Sequence, residues 1–91
     1  MNNKRLEQQI DYLYNIRSDL ETIINHPNRN ILDIIMVDYI LLQRDNIDNA
    51  IQQSVLIQNL KDKELIENRE QENNNIIQSI NLDNILQLLS K

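Results

Sequence analysis

The absence of glycine constrains this chain more than any other feature of its sequence. Its 91 residues include no glycine and one proline, Pro27. Primed hairpin turns need glycine for positive φ angles, and Walker or Rossmann loops need it for close backbone approach to phosphate. The chain also lacks cysteine, which excludes disulfides, thiol nucleophiles and cysteine-ligated zinc. An all-α fold is the class that remains.

The composition predicts one small folded domain covering residues 1–91. Hydrophobic residues make up 41% of the chain, and 16 isoleucines and 13 leucines supply most of them. That content is enough for one modest core, whereas two separate cores would each be much smaller than a common domain. The net charge of −5 argues against direct nucleic-acid binding, because that binding needs clustered lysine and arginine.

The spacing of apolar residues predicts an antiparallel helical hairpin. The first helix is expected over residues 4–25, where apolar side chains recur at helical intervals and Pro27 follows. Asn30 is expected to cap a second helix that runs over residues 31–68. The first helix carries the following apolar stripe: Leu6, Ile10, Leu13, Ile16, Leu20, Ile23 and Ile24. A connection this short places the two helices side by side in opposite directions.

The start of the second helix is apolar on two separate arcs. One arc holds Ile31, Leu32, Ile35, Tyr39 and Leu42, and the other holds Ile34, Val37 and Leu41. The first helix can cover only one side, so we expect Ile34, Val37 and Leu41 to need another cover and to be candidate interaction residues. The apolar stripe also rotates further along, which predicts a kink or a change of packing partner near residues 52–54.

The last third of the chain is predicted to be a polar connector followed by a short helix. Residues 67–75 contain no apolar side chain in nine positions, which indicates a solvated connector. In the following segment, residues 76–91, a helix is expected over about 81–90, with four residues on one apolar face: Leu82, Ile85, Leu86 and Leu89. This face is expected either to complete a three-helix bundle or to dock into a groove on a partner.

The residues give little support for catalysis or for metal and cofactor binding. His26 is the only histidine and stands beside a proline, without a cysteine or serine nearby. The segment 45–49 is rich in aspartate and asparagine, but it lacks the glycine and the final glutamate of a calcium loop. We therefore expect no enzyme activity, no cofactor and no bound metal.

One family comparison follows from the first helix and its loop. The run Ile16-Arg17-x-x-Leu20-x-x-Ile23-Ile24, followed by Ile31-Leu32-x-Ile34 and Asp38, resembles the helical-hairpin phosphatases of sporulation response regulators. The resemblance covers roughly residues 10–45. The diagnostic Ser-Gln-Glu-Leu-Asp motif of that family is replaced by residues 35–39, Ile-Met-Val-Asp-Tyr, and the remaining likeness is common to any α-hairpin. The chain is therefore not assigned to that family.

The function expected from the sequence is protein–protein interaction. The chain would act as a binding module, or as a small subunit of a helical assembly, by burying aliphatic helix faces against itself or a partner. The alternative is a helical-hairpin regulator, phosphatase-like or inhibitory, of a signalling or nucleic-acid-binding protein. We expect a cytoplasmic location, since no signal peptide is visible, and no membrane span.

Overall fold

The computed structural model of this protein describes residues 4–28, 30, 32–80, 82 and 87. Within these residues there are three helices of several turns: α1 (Lys4–Ile24), α2 (Ile34–Leu60) and α3 (Lys63–Ser79). The described ranges contain no strand, and the three helices pack against one another. The predicted all-α helical bundle is confirmed, but its third helix is α3, and the helix expected over about 81–90 lies mostly outside the described residues.

Helix α1 follows its sequence pattern closely. Its buried side chains include Leu6, Leu13 and Leu20, which lie two turns apart along a single face. The helix ends at Ile24, three residues before Pro27, in agreement with the conformational restriction that proline places on the residue before it. Gln9 lies on the same buried face and is the one polar residue there.

Helix α2 begins three residues later than predicted. Asp33, not Asn30, is its N-cap, and its carboxylate accepts a hydrogen bond of 2.8 Å from the backbone N–H of Met36. Asn30 lies in a short 3₁₀ turn that precedes the helix. Leu32, between the turn and the cap, is buried in the core. Aspartate and asparagine are equally good N-cap residues, so the choice between Asn30 and Asp33 does not depend on the cap. Burial of Leu32 in the core favours the later start of α2, at Ile34.

The single long helix predicted over residues 31–68 is wrong, because the chain turns at Lys61 and Asp62. Lys61 has a φ of 58°, in the left-handed region, and its N–H donates to the carbonyl of Ile57. Asp62 then caps α3 by accepting a hydrogen bond of 3.2 Å from the N–H of Leu65. The residue at a left-handed helix C-cap is usually glycine. Because a lysine occupies this cap, the sequence contains no residue that would have predicted the end of α2. Helix α2 continues without a break through residues 52–54.

The predicted polar connector over residues 67–75 is also wrong, since this segment is the middle of α3. Glutamate, glutamine and arginine are good helix formers, and the prediction relied only on the lack of apolar residues. Two polar side chains of the segment, Arg69 and Asn73, are buried. Asn73 provides the contact with the other helices that an apolar residue would usually provide, and Arg69 donates a hydrogen bond to it.

The ion pairs between helices show how the three elements run. Arg17 and Glu21 of α1 pair with Asp48 and Arg44 of α2, so the two helices are antiparallel. α3 returns alongside both and runs parallel to α1. Its Glu70 lies 3.5 Å from Arg5, and Asn74 lies 2.9 Å from Gln9. The described part of the bundle measures 47 × 18 × 18 Å.

The aliphatic core is divided into two clusters along this bundle. The larger cluster fills the half that contains the α1–α2 connection, and its buried members are Leu13, Ile16, Leu20, Ile23, Leu32, Ile40, Ile47, Ala50 and Ile51. The smaller cluster, at the other end, contains Leu6, Ile10 and Ile66, with Ile57 packed beside them. Burial of each such side chain contributes roughly 1.5–3 kcal/mol.

The end of α3 and the residues that follow it pack onto the larger cluster. Ile76, Ile77, Ile80 and Leu82 are partly buried against it. Ile85, Leu86 and Leu89, the other predicted anchors of the C-terminal helix, lie outside the described residues.

Candidate functional site

The structure separates the three predicted interaction residues of α2. Ile34 is 77% exposed, whereas Val37 and Leu41 are half-buried against α1. Val37 and Leu41 line a small apolar cavity together with Ile23 and Ile24 of α1. Helix α1 therefore covers Val37 and Leu41 of one arc, whereas Ile35 and Leu42 of the other arc remain exposed.

The uncovered arc forms a continuous line along the whole of α2. We define the α2 outer stripe as eight residues: Ile35, Tyr39, Leu42, Asn46, Asn49, Gln53, Leu56 and Leu60. They alternate at intervals of four and three residues, so they lie within about 100° of the helix circumference. Ile35, Leu42, Leu56 and Leu60 are 77%, 57%, 54% and 58% exposed. These four leucine and isoleucine side chains form the main exposed aliphatic surface of α2.

The contacts of α2 with its neighbours explain why the stripe remains free. Arg44 and Asp48 face α1, where they pair with Glu21 and Arg17. On the opposite border, the hydroxyl of Tyr39 donates a hydrogen bond of 3.4 Å to the carbonyl of Ser79 at the end of α3. The two neighbouring helices thus occupy one side of α2. Tyr39 lies at the border of the stripe with α3, and the other stripe residues face away from both helices.

A second distinctive feature is a buried polar layer that joins all three helices. Asn73 of α3 is completely buried and donates hydrogen bonds to Gln9 Oε1 of α1, at 3.2 Å, and to Ser54 Oγ of α2, at 2.9 Å. Its Oδ1 accepts a hydrogen bond of 3.0 Å from Arg69 Nε. Gln9 in turn donates to Asn74 Oδ1, and Ser54 donates to the carbonyl of Ala50.

The polar layer is fully hydrogen-bonded and separates the two aliphatic clusters. In the described part of the chain, every buried side-chain nitrogen and oxygen has a hydrogen-bond partner. Arg69 is buried as well, and its guanidinium contacts Glu72 at 3.1 Å. A shift of any helix along its axis would leave these groups without partners, at a cost of about 1–3 kcal/mol each. The layer therefore fixes the register of the three helices and has no exposed reactive group.

The ion pairs between α1 and α2 lie at the surface of the bundle. The pKa of Arg17 is raised above its ordinary value by the hydrogen bond to Asp48 and by the negative charge of that carboxylate. Arg44 contacts Glu21 at 3.3 Å, with about a third of each side chain exposed. Such pairs orient helices and contribute little to stability.

The residues that sequence analysis weighed for catalysis have local roles or no described partner. The Nδ1 atom of His26 accepts a hydrogen bond of 3.0 Å from the N–H of Asn28, within the turn that contains Pro27. Asp48, one of the acidic pair Asp45 and Asp48, is bound to Arg17. Over the residues described by the structure, no group of three or more histidine or acidic side chains is arranged to hold a metal ion.

Two concave regions of the described chain are candidate ligand sites. The apolar cavity beside Val37 and Leu41 has a volume of ≈ 50 Å³, far below the roughly 300–1,000 Å³ of small-molecule sites. A depression of ≈ 430 Å³ between α1 and α3 is lined by Arg5, Tyr12 and Ile77, among others. Arg5 already pairs with Glu70 there, and no second charged group lines the depression.

Sequence reasoning missed both the stripe and the polar layer, although each left a signal. The alternation of four and three residues from Ile35 to Leu60 was hidden because its three central positions are amides. Gln9 is a polar residue on the apolar face of α1. A polar residue in such a stripe indicates a buried hydrogen-bond partner elsewhere, but the partner, Asn73, stands 64 residues away.

The comparisons with known proteins add no relative. No family model, no curated protein and no solved structure matches this chain. Within the described residues, none of the helices has the length and apolar character needed to cross a membrane.

Proposed function

We propose that this protein is a non-enzymatic protein-interaction module that binds another protein chain through the α2 outer stripe. One observation carries the proposal: Ile35, Leu42, Leu56 and Leu60 lie on one line of a single helix and are each more than half exposed. Exposed aliphatic residues are normal when scattered, whereas exposed apolar surface gathered in one place favours an interaction site. Here the apolar surface forms two groups, Ile35 with Leu42 and Leu56 with Leu60, at the two ends of the stripe.

The energetics of the stripe support binding. Full burial of one aliphatic side chain contributes roughly 1.5–3 kcal/mol. Covering the exposed parts of four such side chains would contribute several kcal/mol, which is a large share of the 5–15 kcal/mol that stabilises a typical domain. A partner helix laid along α2 would cover these residues together, as in other helix-in-groove complexes.

The proposal is tested by comparing variants of the stripe with a matched control. Leu42→Gln combined with Leu56→Gln removes apolar surface from the stripe. Tyr12→Gln removes a side chain of similar exposure from α1, on another face. Tagged wild-type protein and both variants are purified from the native host, and the proteins that co-purify are identified.

We expect the wild type and Tyr12→Gln to recover the same partner and the stripe variant to lose it. Circular dichroism should show equal helix content in all three proteins, because the substituted residues are exposed. A partner that binds the stripe variant as strongly as the wild type would contradict the proposal.

A further inference from the structure

We propose that the turn at Lys61 and Asp62 is a hinge through which α3 is exchanged between two copies of this chain. In the exchanged dimer, α2 and α3 join into one straight helix, and α3 of each copy packs on α1 and α2 of the other. Such domain swapping reuses contacts that the folded chain already contains. It therefore needs no new complementary surface, and it does not depend on the α2 outer stripe.

The turn holds one residue under backbone strain. Lys61 has a φ of 58°, the only positive value among the described residues, and its Cβ atom makes the left-handed conformation unfavourable relative to the helical one. A helical φ at Lys61 would remove this strain and continue α2 directly into α3. Short connections under strain favour exchange of the element that follows them.

The sequence around the hinge is compatible with one continuous helix. Residues 58–66 contain no glycine and no proline, and the leucine, lysine and glutamate residues among them are good helix formers. A continuous helix would also supply acceptors for the first N–H groups of α3, which a helix N-terminus leaves without intrahelical partners. In return, the hydrogen bond from the N–H of Leu65 to the carboxylate of Asp62 would be lost. Asp62 is therefore the residue that holds the turn closed.

Helix α3 has the fewest buried residues of the three helices. Ile66, Arg69 and Asn73 are the buried ones among its 17 residues, whereas α1 buries seven. Ile76 and Ile77, near its end, are only partly buried. Detachment of α3 thus exposes less apolar surface than detachment of α1 would, and elements with few buried apolar contacts open most readily.

The buried polar layer would fix the position of α3 on the second copy. Asn73 of one copy would donate to Gln9 and Ser54 of the other, as it does within one chain at 3.2 and 2.9 Å. Arg69 would move together with Asn73, because both lie on α3. Every group of the layer keeps its partner in both forms, so the layer permits the exchange and allows one register in it.

Sedimentation equilibrium of full-length variants at the hinge is the first test. Asp62→Ala removes the cap that holds the turn closed, so it should strengthen dimerisation at least about tenfold over wild type. Lys61→Gly, added to Asp62→Ala, relieves the strain of the turn and should weaken dimerisation again at least about tenfold. Lys63→Ala is the matched control and should leave dimerisation of the wild type unchanged, since residue 63 is helical in both forms. All three side chains are exposed.

Two results of this experiment would overturn the hinge. One is an Asp62→Ala chain that stays monomeric at high micromolar concentration. The other is an Asp62→Ala dimer whose dissociation constant does not change when Lys61→Gly is added.

Cross-linking shows whether the dimer has exchanged α3. The chain has no cysteine, and Arg5 of α1 contacts Glu70 of α3 at 3.5 Å. Arg5→Cys with Glu70→Cys in an Asp62→Ala chain therefore places one pair of thiols across the contact between α1 and α3. A short thiol-specific cross-linker is applied separately to the monomer and dimer fractions, which are then denatured.

We expect the dimer fraction to give a covalent dimer and the monomer fraction to give only a link within one chain. A dimer fraction that gives only links within one chain would overturn the exchange. Leu42→Gln with Leu56→Gln, placed in the Asp62→Ala chain, should leave the dimer unchanged. Dissociation of the dimer by these two substitutions would overturn the exchange and assign the dimer to the α2 outer stripe.

Discussion

Asn73 in α3 and Ser54 in α2 are both completely buried, and a hydrogen bond of 2.9 Å from Asn73 Nδ2 to Ser54 Oγ joins them. The other amide hydrogen bond of Asn73 reaches Gln9 in α1. One side chain therefore links all three helices at the boundary between the two aliphatic clusters. The arrangement shows how a bundle without aromatic residues in its core can specify a single register.

The first prediction concerns this polar layer. Asn73→Ala should lower the free energy of unfolding by at least about 2 kcal/mol, because it leaves Gln9 and Arg69 without their buried partner. Urea denaturation followed by circular dichroism measures the change. Asn75→Ala, two residues away and exposed, is the control and should leave stability unchanged or slightly higher. Equal effects of the two substitutions would show that the layer does not hold the helices together.

The second prediction concerns Lys61, whose φ of 58° is the only positive value among the described residues. A residue with a Cβ atom in the left-handed conformation is destabilised by about 1–2 kcal/mol relative to glycine. Glycine also gains conformational entropy in the unfolded chain, so Lys61→Gly should raise the free energy of unfolding by less than about 1 kcal/mol. The urea midpoint measures it.

Lys63→Gly is the matched control for this substitution. Residue 63 is in α3 and has helical geometry, where glycine is unfavourable. We expect this control to lower the urea midpoint. A lower midpoint for Lys61→Gly as well would contradict the left-handed cap.

The third prediction concerns the pH dependence of the Arg17–Asp48 pair. The pKa of Arg17 is raised in the folded protein by its hydrogen bond to Asp48 and by that residue's charge. When folding raises the pKa of a basic group, the stability that the group contributes is fully present below its pKa in the unfolded chain. That stability is lost only as the pH rises through its pKa in the folded protein. For Arg17 both pKa values lie far above neutral pH.

Asp48→Asn should therefore lower stability by an amount that stays constant between about pH 6 and pH 9. Thermal unfolding at several pH values in this range measures the difference from wild type. Asp45→Asn, at an exposed position nearby, is the control and should have little effect. A difference that disappears on moving from pH 6 to pH 9 would contradict this assignment.

The fourth prediction concerns the residues after Asn75. Ile76, Ile77, Ile80 and Leu82 pack against the larger aliphatic cluster, so removal of residues 76–91 should lower the free energy of unfolding by at least about 3 kcal/mol. Chemical denaturation of the shortened and full-length chains measures it. An unchanged urea midpoint would show that this segment does not belong to the core.

The alternative for the C-terminal segment, a docking motif for a partner, predicts a different result. Truncation would then abolish binding and leave the melting temperature unchanged. A shorter truncation after Leu82 keeps the four packed residues and serves as the control. We expect this control to retain most of the stability of the full chain.

Local sequence alone determined the helical class and the first helix. The absence of glycine excludes the common turns of β-hairpins and so favours helices. The apolar spacing from Leu6 to Ile24, followed by Pro27, predicts the bounds of α1 to within one residue. These features depend on interactions between residues a few positions apart. For the same reason the antiparallel hairpin could be predicted from the length of the connection alone.

Tertiary structure decided the turn at Lys61, the helix over residues 67–75 and the choice of the exposed arc of α2. Asn73 is tolerated inside the bundle because Gln9 and Ser54 accept its hydrogen bonds, and Arg69 because Asn73 accepts the hydrogen bond that it donates. No local pattern contains the contacts of Asn73 with Gln9 and Ser54. The start of α2 likewise has two apolar arcs, and α1 can pack against only one side of the helix. Burial of Ile40, Ile47 and Ile51 in the larger cluster sets the rotation of α2, so that Val37 is partly buried and Ile35 remains exposed.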